Sequence, residues 1–160
     1  MLRWILIAAL AACAGPDPVE VRWLEIKARI EREFPAVDEW STEQVEAALS
    51  VEPKPLLVDV RELDEFQISR IPGAVHVDPD EDLAVVPRDR TVIVYCSVGY
   101  RSAVVAERLR EAGYDSVHNY LGSIFEWANR GLPLVDDDGP TDRVHPYDDH
   151  WGELLNARYH

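Results

Sequence analysis

Short apolar runs alternate with segments of helical periodicity along most of this chain. The runs have the length of single strands, and most of them lead through polar or turn residues into apolar positions spaced by three and four. Strands that alternate with helices in this way pair into a parallel sheet. The pattern therefore predicts an α/β fold with strands at 56–60, 75–77, 91–95 and 116–119, and with helices at 62–69, 102–112 and 123–130, the last of them capped by Ser123.

Two further helices are predicted ahead of the first of these strands. The earlier one is amphipathic and ends before Pro35, and its apolar positions are Val19, Trp23, Ile26, Ile30 and Phe34. Such a helix either packs on the domain or forms a stalk between the domain and a membrane. The later one extends to about residue 49, because Ser41 and Gln44 have the spacing of a capping box and Trp40 and Val45 that of a hydrophobic staple.

The segment 92–102 joins the predicted central strand to the next helix and carries the most specific chemistry. An apolar β-branched run ends at Cys96, passes through Gly99 and enters a helical pattern. Backbone N–H groups of such a loop and of the first helical turn have no partners within secondary structure, so they can converge on one anion. They also favour the thiolate form of a cysteine beside them. We therefore predict Cys96 as the catalytic nucleophile and an anion-binding loop that consists of Ser97, Val98, Gly99, Tyr100, Arg101 and Ser102.

Arg101 places a cation near a helix N-terminus, which is unfavourable by about 0.3 to 1 kcal/mol unless an anion offsets it. That anion could be a charged group formed on Cys96, a bound substrate, or the carboxylate of Asp59 or Glu65. An ion pair to Asp59 would simply hold the loop in place. Asp59 and Arg61 lie at the carboxyl end of a predicted buried strand, the end that faces the ligand crevice in α/β folds, so we assign them supporting roles.

Composition narrows the possible partners. At 160 residues, 47% of them hydrophobic and 29% charged, the chain fits one globular domain. Sixteen basic residues against thirty acidic ones give a net charge of −14. A chain of this charge repels polyanions and offers no basic stripe, so no nucleic-acid partner is predicted.

The N-terminus has the form of a targeting segment. A positive start at Arg3 is followed by an apolar stretch that ends in small residues, and residues 1–12 are predicted to be a signal peptide. The apolar run reaches only to about Gly15, short of the roughly 20 residues that span a bilayer.

The four residues 10–13, Leu-Ala-Ala-Cys, resemble the lipobox of bacterial lipoproteins, which implies cleavage before Cys13 and lipid attachment to it. The alternatives to this lipoprotein signal are an ordinary cleaved signal peptide and a misplaced start codon. The predicted protein is exported to the periplasm and anchored to a membrane through that lipid. Ala14 follows the cysteine rather than Asp, which under the enterobacterial sorting rule favours the outer membrane over the inner one. Cys96 would then be the one thiol left in the mature chain.

Four blocks in sequence order resemble the single-domain rhodanese family. They lie at 57–62, at 64–66 with 71–74, at 95–102 and at 121–127, and the likeness covers about 55–135. The resemblance implies a five-stranded parallel sheet flanked by helices, here preceded by the amphipathic helix. We therefore divide the chain into the signal peptide, a spacer with N-terminal helices at 13–52, a rhodanese-like domain at 53–135 and an acidic C-terminal tail at 136–160.

The resemblance also implies the reaction. Cys96 would take a sulfane sulfur from a small donor such as thiosulfate, a persulfide or a polysulfide, hold it as a persulfide, and pass it to a thiol or cyanide-like acceptor. No cofactor is expected. Many relatives that use thiosulfate carry a basic residue directly after the cysteine, whereas Ser97 stands here with Val98 and Tyr100 beyond it. Arg70 precedes the block at 71–74, where many relatives have His, so the donor stays open.

Two other functions compete with sulfur transfer. Cysteine phosphatases and arsenate reductases also place a cysteine and an arginine around an anion-binding loop, but their Cys-x5-Arg loop is one residue longer than the segment from Cys96 to Arg101. A six-residue loop leaves little room for a tetrahedral phosphate. The second competitor is a membrane-tethered binding or redox-sensing module without turnover.

Histidines outside the loop are predicted to play structural or solvated roles. His76 and His118 fall within strand patterns and are expected to be packed or hydrogen-bonded. The acidic tail contains loosely spaced histidines and aspartates, which are expected to be solvated rather than metal-bound. They are His145, Asp148, Asp149 and His150.

Overall fold

Five parallel strands form the single sheet of the computed structural model, which describes residues 15–80 and 83–160. The predicted signal peptide and Cys13 lie outside the described residues. The strands are β1 (Asp38–Trp40), β2 (Leu56–Asp59), β3 (Val75–His76), β4 (Val92–Tyr95) and β5 (Val117–Tyr120). Their order across the sheet is β1-β5-β4-β2-β3. The predicted fold class is confirmed.

Strand β1 is the one strand that the hydrophobic pattern does not predict. It has only three residues, Asp-Glu-Trp, and lies within 13–52, the range assigned to the spacer and the N-terminal helices. Its partner is β5, with Glu39 opposite Asn119 and Trp40 opposite Tyr120. A contact with a distant strand therefore sets its conformation, and the sheet includes residues ahead of 53.

Six helices surround the sheet in the part of the chain that the structure describes. They are α1 (Pro18–Glu33), α2 (Thr42–Leu49), α3 (Leu63–Ile68), α4 (Tyr100–Glu111), α5 (Ser123–Asn129) and α6 (Asp149–Gly152), with 3-10 turns at Leu83–Val85 and Ala157–Tyr159. The predicted capping box is present at α2, where Ser41 and Gln44 bind each other's backbone N–H groups. None of the helices in the described ranges is both long enough and apolar enough to cross a bilayer.

Alternate residues of the central strands fill two cores, one on each face of the sheet. Val92 and Val94 pack on one face with residues of α1 and α4, whereas Ile93 and Tyr95 pack on the other with residues of α2 and α5. This period of two is what a strand buried on both faces requires. Strand β4 is fully buried and lies between β2 and β5, so the loop that follows it leaves the centre of the sheet.

Helix α1 packs on the domain, so the stalk alternative is wrong. Ile30 is completely buried in the core shared with α4. The ammonium group of Lys27 donates to a carboxylate oxygen of Glu126 on α5 at 2.6 Å. Apolar burial and this ion pair both hold the helix against the sheet layer.

The acidic tail also folds onto the domain. Val144, Leu154, Leu155 and Tyr159 are buried in the core on the α5 side. The side-chain amide of Asn129 donates to the carbonyl of Leu154 at 2.7 Å, which joins the end of α5 to this segment. Residues 136–160 are therefore part of the folded unit.

Helix α4 begins at Tyr100, two residues earlier than predicted. Gly99 is its N-cap residue and has a φ of 113°, a conformation that favours glycine. A Cβ at Gly99 would lie 3.4 Å from backbone atoms of Tyr120, Leu121 and Gly122. This tight turn lets the helix start at once, so Tyr100, Arg101 and Ser102 form its first turn.

Candidate active site

The loop 96–99 rests on the start of α5. The backbone N–H groups of Ile124 and Phe125 donate to the carbonyls of Cys96 and Ser97 at 3.2 and 3.1 Å. N–H groups of a first helical turn lack intrahelical partners, so these bonds satisfy them and direct the loop carbonyls toward α5. With the carbonyls directed there, the N–H of Gly99 is available to another acceptor.

Ser123 links the loop to β5 and does not cap α5, so the predicted capping role is wrong. Its φ is 52° and the N-cap is Gly122. The Ser123 hydroxyl donates to the carbonyl of Tyr120 at 2.8 Å and accepts from the backbone N–H of Cys96 at 3.1 Å. The hydroxyl is used to tie the loop to the end of β5, which is why it is not available to the helix.

Cys96 lies at the carboxyl end of β4, with 1% of its surface exposed. The backbone N–H of Gly99 donates to its Sγ at 3.2 Å, and the hydroxyl of Ser102 does so at 3.6 Å. Burial raises the pKa of the thiol, but the charge of Arg101 and the hydrogen bonds from Ser102 and Gly99 outweigh burial, so the pKa of Cys96 is lowered. The predicted activation of this thiol therefore has a structural basis.

Glu65 on α3 holds Arg101 in place. Its two carboxylate oxygens accept from the guanidinium of Arg101 at 2.7 and 2.9 Å, and the side chain is 1% exposed. Ser97 completes the group, since its hydroxyl donates to Glu65 at 3.1 Å and accepts from Arg101 at 2.9 Å. Burial raises the pKa of Glu65, yet the hydrogen bonds and charge of Arg101 leave it lowered overall.

Asp59 is not the partner of Arg101, so that alternative is wrong. Its carboxylate accepts from the guanidinium of Arg61 at 2.9 and 2.7 Å, and both side chains are fully buried. Arg61 also donates to the carbonyl of Ser69 at 2.6 Å, and its own carbonyl is 2.7 Å from Nε2 of His76. The predicted supporting pair therefore fixes the corner between β2 and α3, the helix that carries Glu65.

Two loop residues are held by packing. Val98 is 5% exposed and belongs to the core on the α5 side. Tyr100 turns the other way and contacts α1, where its hydroxyl donates to Glu33 at 2.7 Å and its ring meets Phe34 edge-on at 5.5 Å between centroids. The guanidinium of Arg29 lies 4.8 Å from the same ring. Val98 and Tyr100 are two of the positions at which the sequence departs from the family pattern, and these contacts give both a structural role.

A cavity of about 250 Å³ opens onto Cys96. Four of its lining residues were not predicted as site residues: Ile26 and Arg29 from α1, and Tyr147 and Trp151 from the C-terminal segment. The remaining lining residues are Cys96, Ser97, Val98, Tyr100 and Arg101. The local sequence pattern does not identify these four residues, because they lie about 50 to 70 residues from the loop and only tertiary packing brings them to the cavity.

A second support of the loop comes from β1 and β5. The side-chain amide of Asn119 donates to the carbonyl of Gly99 at 2.9 Å and to the carboxylate of Glu39 at 2.7 Å. Burial raises the pKa of Glu39 to about 7, against the hydrogen bond from Asn119 and with help from the nearby charges of Glu31 and Asp38. The position of the α4 N-cap is thus connected to a carboxyl group that titrates near neutral pH.

The histidines take structural positions. The ring of His118 stacks on Trp40 at 3.9 Å between centroids, and its Nδ1 lies 2.7 Å from the carboxylate of Asp38. In the C-terminal segment, Nδ1 of His145 accepts from the backbone N–H of Tyr147 at 3.0 Å. Within residues 15–80 and 83–160, no three His, Cys, Asp or Glu side chains are grouped to hold a metal ion.

The chain is similar to known sulfurtransferases in sequence and in fold. The family model for the rhodanese-like domain matches residues 41–130. A sulfurtransferase of Allochromatium vinosum is 36% identical over 107 residues, which cover 64% of this chain and 99% of that protein. The thiosulfate sulfurtransferase GlpE of Actinobacillus succinogenes is 37% identical over 82 residues, covering 49% of this chain and 74% of that protein. The structure of a Pseudomonas aeruginosa thiosulfate sulfurtransferase aligns with 86% of this chain and 27% of its own length, at a TM-score of 0.62 and 25% identity.

Removal of the charge of Arg101 tests the activation of the thiol. In Arg101→Gln we expect alkylation of Cys96 by iodoacetamide at neutral pH to slow by about tenfold and the pH profile of the rate to move to higher pH, because a nearby cation favours the thiolate. The double variant with Glu65→Gln leaves no unpaired buried carboxylate and should alkylate equally slowly. Arg110→Gln, on the exposed face of α4, is the matched control. An unshifted profile in both Arg101 variants would contradict the assigned role.

The raised pKa of Glu39 predicts a pH dependence of stability. Between about 4.3, the usual value for a glutamate, and about 7, the native state keeps a proton on Glu39 that the unfolded chain releases. Raising the pH through this window therefore lowers the free energy of unfolding. Between these two pH values, the free energy of unfolding measured by urea denaturation should fall less steeply with pH for Glu39→Gln than for wild type. The difference in slope should correspond to at most one bound proton. The exposed Glu25→Gln should match wild type, and equal slopes in all three proteins would rule the effect out.

Proposed function

Because the chain belongs to the rhodanese-like domain family and has sulfurtransferase homologues, we propose that it moves a sulfane sulfur from a small donor to an acceptor through a persulfide on Cys96. The observation that carries the proposal is the environment of the thiol. Its Sγ accepts hydrogen bonds from Gly99 and Ser102, with the guanidinium of Arg101 nearby. This arrangement favours an anionic sulfur both before and after the transfer.

The first half-reaction loads the enzyme. The Cys96 thiolate attacks the outer sulfur of thiosulfate, a persulfide or a polysulfide. A new S–S bond forms to Cys96 as the donor's bond to that sulfur breaks, and the electron pair leaves with sulfite, a thiolate or a shorter polysulfide anion, respectively. The step needs no external oxidant. The terminal sulfur of the persulfide is then an anion, which the N–H groups of the loop and the charge of Arg101 stabilise.

The second half-reaction returns the enzyme to its starting state. A thiol or cyanide-like acceptor attacks the terminal sulfur, and the Cys96 thiolate leaves with the electron pair of the broken S–S bond. The hydrogen bonds from Gly99 and Ser102 that lower the pKa of the thiol also make it a better leaving group. The same groups therefore assist both half-reactions.

The position of Arg101 favours sulfur over phosphate chemistry. Both of its terminal nitrogens donate to Glu65, so its bidentate face is occupied by a protein carboxylate. A phosphatase needs that face for the phosphate oxygens. The charge of Arg101 still acts on Cys96 through space, which is sufficient to stabilise a single sulfur anion.

Persulfide formation on Cys96 can be observed directly. After incubation of the full chain with thiosulfate or a polysulfide, we expect the intact mass to rise by one sulfur atom and to return on addition of cyanide or a thiol. Cys96→Ser should gain no such sulfur, whereas Cys13→Ser should still gain it, which assigns the addition to Cys96. A wild-type chain that gains no sulfur from any donor would overturn the proposal in favour of a module without turnover.

We also propose that the chain is exported to the periplasm and lipid-anchored at Cys13, with the outer membrane favoured over the inner one. The charged start, the apolar stretch and the four residues that end at Cys13 support this. In a bacterial host, the chain should incorporate labelled fatty acid and sediment with membranes, and density separation reports which membrane. Cys13→Ala should lose both properties and Cys96→Ser should keep them. An unlabelled wild-type chain would refute the anchor.

A further inference from the structure

The cavity at Cys96 is walled on one side by segments outside the family match. Ile26 belongs to α1, and Tyr147 and Trp151 belong to the C-terminal segment, whereas the match covers 41–130. We propose that these two segments select the sulfur donor, so that the site takes its sulfur from an organic persulfide with an apolar carbon group in preference to inorganic thiosulfate. This inference rests on the sulfurtransferase function proposed above.

The size and lining of the cavity fit an organic donor. Its volume of about 250 Å³ approaches the range of about 300 to 1,000 Å³ found for pockets that hold organic ligands. The side chains of Ile26, Val98, Tyr147 and Trp151 contribute apolar surface to its walls. A five-atom inorganic ion would leave those walls in contact with water, whereas an apolar carbon group would cover them.

The charges at the cavity are balanced within the protein. Arg101 is paired with Glu65 at 2.7 Å, and Arg29 is paired with Glu33 at 2.9 Å. Thiosulfate is a dianion and is repelled by the Cys96 thiolate. The two arginines of the cavity offset little of this repulsion, because each is already paired with a glutamate. A persulfide carries at most one negative charge and meets less repulsion.

Tyr147 occupies a conformation that its surroundings must impose. Its φ is 67°, in the left-handed region that residues with a side chain rarely adopt. His145 accepts its backbone N–H at 3.0 Å, and the ring lies 4.8 Å from the guanidinium of Arg101. Backbone strain of this kind concentrates at ligand clamps. Here it places an aromatic ring, 49% of the residue exposed, at the mouth of the cavity beside the catalytic loop.

The wall is a built structure, since α1 and the C-terminal segment are bonded to each other. The guanidinium of Arg22 donates to the carboxylate of Glu153 at 2.6 Å and to the carbonyl of His150 at 2.9 Å. Asp148 caps α6 by accepting from the N–H of Trp151 at 2.8 Å. The two segments thus hold a fixed position relative to each other.

Atoms, electrons and charge are all conserved when sulfur is transferred from such a donor. The Cys96 thiolate attacks the outer sulfur of R–S–SH, the bond between the two donor sulfurs breaks, and R–S⁻ leaves with its electron pair. The proton of the donor passes to the departing thiolate, which yields R–SH and the Cys96 persulfide anion. The apolar group R stays against Ile26 and Tyr147 during the step, so its binding can assist the transfer.

The experiment measures the rate at which the full chain forms the Cys96 persulfide from benzyl persulfide and from thiosulfate. Because the two donors differ in intrinsic reactivity, each variant is compared with wild type for each donor separately. Tyr147→Ala and Ile26→Ala should lower the rate with benzyl persulfide by about tenfold, the size of effect that loss of a few apolar contacts has on selectivity. The rate with thiosulfate should fall by a clearly smaller factor than the rate with benzyl persulfide, and a near-UV circular dichroism spectrum like that of wild type shows that each variant is folded.

Two matched controls keep the test specific. Tyr147→Phe retains the ring and Leu24→Ala shortens an exposed side chain of α1, so both should behave as wild type. Equal loss with both donors in the alanine variants, or no loss with either, would overturn the donor preference. Wild-type protein that forms no persulfide from any donor would instead overturn the sulfurtransferase function itself, so the two failures are distinguishable.

Discussion

The buried carboxylate of Glu65 is the constraint around which the site is arranged. With 1% of its surface exposed, its charge must be compensated inside the protein, and the two nitrogens of Arg101 and the hydroxyl of Ser97 do so. Loss of one partner of a buried pair costs about 3 to 5 kcal/mol. Glu65 also offsets the unfavourable cation in the first turn of α4, so a single carboxylate ties α3, the loop and α4 together.

The direction of the loop's peptide groups follows from a second constraint. Because Ile124 and Phe125 take the carbonyls of Cys96 and Ser97, the N–H of Gly99 can face the thiol. The positive φ of Gly99 makes this reversal possible within four residues. Activation of the cysteine therefore depends on α5 as well as on the helix that follows the loop.

The centre of the site is contiguous in sequence, and this is why it can be predicted. An apolar strand, Gly99 and a helical pattern are enough to place Cys96 at the turn between β4 and α4. The partner of Arg101 is different, since Asp59 and Glu65 are acids at the same edge of the sheet and only side-chain packing decides between them. Strand β1 has no apolar run of its own and forms by pairing with β5, so no local pattern predicts it.

Helix α1 links the core, the cavity and the C-terminal segment through one face. Residues four apart lie one above the other on a helix, so burial of Ile30 fixes the direction of the residues one and two turns earlier. Ile26, one turn away, reaches the cavity, and Arg22, two turns away, reaches Glu153. The hydrophobic packing that secures α1 thereby also positions the wall of the cavity. A change in donor preference could then arise in the flanking segments while the chemistry of Cys96 and its loop stays the same.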